Sequence, residues 1–185
     1  CCKYDREKKQ TAMVKQPAKD TTAPKQNNDI HQHDEMNYAA QDTNQLTAVF
    51  ENYFSQKDAL VKTDGNTASA KAKDLQTAIS AVKMDKLPMN VHTVWMKYLN
   101  DLKEDAEHIN GTKDISRQRD HFMSLSKNMY ELIKVTKHTE TVYYQFCPMA
   151  NDGKGANWLS KENAIKNPYY GSQMLTCGST VETLK

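Results

Sequence analysis

Four sulfur-bearing residues near the C-terminal end are the strongest chemical signal in the chain. Cys147 and Met149 form one pair, and Met174 and Cys177 form the other. Thiolate and thioether are soft ligands that select Cu(I), whereas Zn(II) prefers Cys and His and seldom uses Met. Cys147 and Met149 are two residues apart, so an extended backbone would point both side chains the same way. Met174 and Cys177 are three apart, the spacing of a helical or tight turn. Four sulfurs from two loops could therefore converge on one Cu(I) ion. A Cys147–Cys177 disulfide is the competing expectation. It would close a loop of about thirty residues, worth about 3.6 kcal/mol by chain entropy, and would leave both methionines as packing residues. The two states could also alternate, with oxidation blocking the metal site.

Trp158 lies between the pairs. Its ring could shield a bound cation, although a buried packing anchor is the commoner use of such a residue. His31, His33 and Met36 form a thinner second group, His-x-His-x-x-Met, that could capture a metal and pass it on. His92, His108, His121 and His138 are scattered and read as ordinary surface or core histidines. There is no Gly-x-Ser-x-Gly elbow, no Gly-rich phosphate loop and no His at a telling spacing from Cys147. These absences favour a binding protein over an enzyme.

Composition narrows the field further. The chain has 185 residues, a net charge of +2, and 38% hydrophobic and 26% charged residues. So small a charge, without a basic stripe, gives no reason to expect a nucleic-acid partner. No apolar run reaches the length of a membrane span. Cys1 is the first residue, as in a mature bacterial lipoprotein whose first cysteine carries the lipid. On that expectation the protein is periplasmic, touches the membrane only through its N-terminal lipid, and sits where disulfides persist.

The elements that must position the sulfurs follow from periodicity. Residues 1–43 hold seven Lys/Arg and seven Asp/Glu with no helical period, and read as a disordered tether. Residues 44–138 show the 3.6-residue period four times. Thr43 or Asn44 would cap the first helix, and Asp64-Gly65-Asn66 would end it. A second helix carries Ala68, Ala72, Leu75 and Ile79. The third follows Pro88 and carries Val91, Trp95, Leu99 and Leu102. Asn110-Gly111 stops it, and Asp114 caps the fourth, which carries Phe122, Leu125, Met129 and Leu132. Short connections make neighbours antiparallel, so the expected fold is mainly α: an up-down four-helix bundle. No Glu-x-x-His pair lines it, which argues against a di-iron centre. Residues 139–185 form a small, irregular or β segment packed on the bundle. Val142–Cys147 reads as a strand, and a short helical piece is expected near Lys161–Ile165.

The run Val142-Tyr143-Tyr144-Gln145-Phe146-Cys147-Pro148-Met149-Ala150, then Trp158-Leu159-Ser160, Asn167-Pro168-Tyr169-Tyr170-Gly171 and Met174-Leu175-Thr176-Cys177-Gly178, resembles a bacterial exported domain family of unknown function. Lys57–Val61, Asp64, Arg119–Phe122 and Leu125-Ser126 fit the same resemblance, which spans residues 44–185. Members of that family stand alone or are fused to periplasmic adaptor subunits of heavy-metal efflux pumps. The resemblance implies a metal, with copper the leading choice, and an efflux-pump adaptor or another envelope protein as partner. Without the metal, the same segment would be a disulfide-stapled docking module.

Overall fold

The structure, a computed structural model, describes residues 35–185, with side chains from Gln45 onward. Four helices come first: α1 (Glu35–Val61), α2 (Gly65–Ala81), α3 (Met89–Asn110) and α4 (Ile115–Ile133). Three strands follow: β1 (Val142–Cys147), β2 (Ala156–Ser160) and β3 (Ser179–Leu184). The expected mainly helical bundle with a C-terminal β segment is what forms. Among the described residues, no helix is long and apolar enough to cross a membrane.

Local chemistry accounts for the helix ends. Asp64 caps α2 by accepting the Thr67 N–H and hydroxyl, and these bonds hold its carboxyl below the usual range. Pro88 precedes α3, where its missing N–H costs nothing, and its carbonyl accepts from His92 N–H at 2.8 Å. Asp114 caps α4 through Ser116 and Arg117. Gln118, fully buried, donates to the carbonyls of Gly65, Ile109 and Thr112 and so ties three helix ends together.

The first helix departs from expectation. It begins at Glu35, not at Thr43 or Asn44. No Pro or Gly interrupts residues 35–61, so nothing in the backbone chemistry stops the helix from extending beyond its apolar stripe. Consecutive helices pack in chain order, and α4 also packs on β2. Leu46, Val49, Tyr53, Leu75, Trp95, Leu102, Phe122, Leu125 and Met129 are all at most 1% exposed and fill the interior. Tyr53 of α1 stacks on Phe122 of α4 with ring centroids 5.2 Å apart.

The sheet is antiparallel in the order β2-β1-β3. Paired residues share a face. Tyr143, Gln145 and Cys147 therefore lie with Ser160, Trp158 and Ala156, while Tyr144 lies with Leu159. The Tyr144 face meets the helices. Tyr144 stacks on Tyr130 of α4 at 3.8 Å, and the Leu159 N–H donates to the Tyr53 hydroxyl. Glu162, Asn163 and the Cys177–Gly178 turn cover the Cys147 face, where they meet Gln145, Cys147 and Trp158. With both faces covered, β1 lacks a clean apolar-polar alternation.

The short helix expected near Lys161–Ile165 does not form. The Ser160 hydroxyl accepts the Glu162 N–H, and the carbonyls of Glu162 and Asn163 accept from the buried Gln145 side chain. Those carbonyls are thus bound to the sheet instead of a following helical turn.

Candidate functional site

Cys147 ends β1 on the covered face and is fully buried. Cys177 follows a tight turn closed by its own N–H on the Met174 carbonyl at 3.0 Å, and is half-buried. The two Sγ atoms are 3.0 Å apart, and both cysteines are free. Hydrogen bonding to Cys147 and burial push the Cys177 thiol up, while the Met149 N–H opposes that shift by facing its sulfur.

Three features bring Cys177 to this place. The Asn167 side chain is buried. Its amide donates to the Cys177 carbonyl at 2.9 Å, and its Oδ1 accepts the N–H groups of Tyr169 and Tyr170. The Asn167 N–H also donates to the Leu175 carbonyl, closing the loop on itself. Gly178 then runs against β1 and β2. A Cβ there would stand 2.7 Å from the Phe146 carbonyl oxygen and 3.0 Å from the Trp158 ring, and its φ is +142°. Only glycine fits so close a backbone approach at that φ.

Arg119 of α4 holds the far end of this loop. It donates to the carbonyls of Pro168 and Leu60 and to the Thr63 hydroxyl. Burial lowers the pKa of its guanidinium. The bundle thus fixes the loop that carries Cys177.

The methionines are placed differently from expectation. Strand β1 ends at Cys147, and Pro148–Ala150 turn away, so Cys147 and Met149 do not share an extended backbone. The turn is set by left-handed Asn151 and Asp152 and by positive φ at Gly153 and Gly155. The Gly155 N–H closes it on the Ala150 carbonyl at 2.9 Å. Met149 is 52% exposed, and its carbonyl accepts from the Tyr170 hydroxyl. Met174 is half-buried on the turn that carries Cys177.

Trp158 is fully buried, meets Tyr169 edge-on at 5.9 Å, and lies under the Gly178 backbone. These contacts give it the part of a packing anchor. Cys1, His31 and His33 lie outside the described residues, and Met36 is described only as helix backbone. His121 is half-exposed, 3.5 Å from Asp105, and its ring lies 4.5 Å from that of His108. Among the described residues, no group of three or more His, Cys, Asp or Glu side chains could hold a metal ion.

A separate cleft of about 140 Å³ is lined by Phe50, Phe54, Ile133, Val142 and Lys161 among others, and by none of the sulfur residues. Sequence reasoning missed Gln145 and Asn167, the two buried amides that fix the covering loop. The Asn-Pro pair at 167–168 carried a signal, since Asn readily accepts from backbone N–H groups two residues on.

The family whose sequence profile matches residues 49–141 is described as "Protein of unknown function (DUF3347)". That profile spans half of the chain, and the protein belongs to this family. The matched segment is the helical part and stops just before β1, so both cysteines of the pair lie beyond it. No curated protein matches the chain, and no solved structure does.

Proposed function

We propose that this is a periplasmic, lipid-anchored protein that binds Cu(I) and sequesters it or delivers it toward efflux, without transforming a substrate. The observation that carries this reading is the contact of Cys147 and Cys177 at 3.0 Å on a scaffold that spends Gly178, Asn167 and Arg119 on holding them together. Two thiolates suffice for a soft monovalent ion, and Met149 and Met174 sit on the same two loops as further soft donors. Sulfurs bridged by an ion need a separation of about 4–4.5 Å, from metal–sulfur bonds of about 2.3 Å. Taking up an ion therefore requires the two sulfurs, now 3.0 Å apart, to separate by about 1–1.5 Å. His31, His33 and Met36 would serve as a capture segment ahead of this site, and an efflux-pump adaptor is the proposed recipient.

The same contact favours a second reading, a disulfide-stapled envelope interaction module without metal. Copper content separates the two. Protein isolated under reducing conditions from copper-supplemented cells should carry about one copper per chain, and the Cys147→Ser variant almost none. Equal copper in both forms, or none in either, would favour the stapled module.

A further inference from the structure

We infer that Cys147 and Cys177 undergo dithiol–disulfide exchange with external disulfides, Cys177 serving as the entry thiol and Cys147 as the resolving thiol. The inference shares the sulfur pair with the proposed metal site but does not depend on metal binding. If both hold, oxidation closes the metal site.

Access sets the order of events. Cys147 is 0% exposed, sealed between β2 and the covering loop, so an external disulfide cannot reach it. Cys177 is only half-buried, on a turn whose Leu175 and Thr176 are exposed. Attack through a mixed disulfide therefore starts at Cys177. Geometry then sets the second step. The Sγ atoms are already 3.0 Å apart, and the clamp from Asn167 and the close approach of Gly178 keep them there. Ordering of the twenty-nine intervening residues has been met by folding, so resolution is effectively intramolecular.

The chemistry balances without a cofactor. Cys177 gives its proton to solvent, and its sulfur attacks one sulfur of the external disulfide. A Cys177–sulfur bond forms, and one thiolate leaves. Cys147 then gives up its proton and attacks Cys177 Sγ. The Cys147–Cys177 bond forms, the mixed disulfide breaks, and the second thiolate leaves. The protein dithiol loses two electrons, and the external disulfide becomes two thiols.

The test uses the full chain carrying Cys1→Ser and Cys2→Ser, with dithiobis-nitrobenzoate as the disulfide at neutral pH and no denaturant. This chain should release two thionitrobenzoates, one for each free cysteine of the pair. It should retain no adduct and show a Cys147–Cys177 peptide by mass spectrometry. Adding Cys147→Ser should leave one stable adduct on Cys177. Adding Cys177→Ser instead should slow the reaction by about a hundredfold or more. Adducts retained on both cysteines, or a Cys177→Ser chain as fast as the Cys147→Ser chain, would overturn the inference. If Cys147→Ser fails to fold, acid quenching of the chain with both cysteines decides. A transient adduct on Cys177 supports the order, and one on Cys147 overturns it. The oxidised chain should also bind Cu(I) at least about tenfold more weakly than the reduced chain, since both thiolates are consumed. A reduced chain that exchanges as described but binds no Cu(I) would sink the metal reading and leave the exchange standing.

Discussion

Replacing Gly178 by Ala tests how the fold assembles the sulfur pair. The added Cβ would stand 2.7 Å from the Phe146 carbonyl oxygen and 3.0 Å from the Trp158 ring, both fixed in the sheet. Neither can yield as a flexible side chain would. The backbone also sits at φ +142°, which costs a non-glycine residue about 1–3 kcal/mol. Adding about 1–3 kcal/mol for overpacking gives a total of about 2–6 kcal/mol. Gly153→Ala is the control, because φ there is +79° and nothing lies within 4 Å of a built Cβ. It should cost only about 1–2 kcal/mol of backbone strain. Urea denaturation of both variants under reducing conditions measures the difference. Equal losses, or a Gly178→Ala chain as stable as the parent, would refute the claim that this close approach needs glycine.

Tyr53→Phe should destabilise the fold by about 1–3 kcal/mol, because it leaves the buried Leu159 N–H without its acceptor and Ser126 without its 2.8 Å partner; chemical denaturation measures it. Asp105 is buried in α3, and desolvation raises its pKa although Ser124 and His121 offset part of that shift. A carboxyl raised in this way stays protonated to higher pH in the folded state. It therefore opposes folding above its folded pKa, and the penalty disappears as pH falls toward the unfolded value near 4. Asp105→Asn should thus raise Tm relative to the parent at pH 7 and lose that advantage near pH 4. A larger advantage at pH 4 than at pH 7 would contradict the sign.

Much of the helical layer was legible because its signals are local. Asp64, Pro88, Gly111 and Asp114 mark helix ends by their own chemistry, and those ends stand where those residues stand. The start of α1 was not legible, since helix can outrun an apolar stripe wherever no breaker stops it. The C-terminal segment was harder for a different reason. Its structure rests on contacts distant in sequence: β3 pairs with β1, and Gln145 binds carbonyls seventeen and eighteen residues away. The pairing of Cys147 with Cys177 was expected from chemistry, whereas the means of bringing them together, Asn167 and the Gly178 approach, came only from the fold. The expected Cys147–Met149 alignment failed because the turn starting at Pro148 ends the strand two residues too early for it.

X-ray absorption at the copper edge is the most direct measure of the central claim. Reduced full chain carrying Cys1→Ser and Cys2→Ser, loaded with one equivalent of Cu(I), should show a first shell of two or three sulfurs at about 2.2–2.3 Å, with nitrogen or oxygen at most a minor part. In Cys177→Ser that sulfur shell should collapse to a loosely held ion. A first shell of nitrogen and oxygen in the parent chain, or the same sulfur shell in Cys177→Ser, would contradict Cu(I) binding by the Cys147–Cys177 pair.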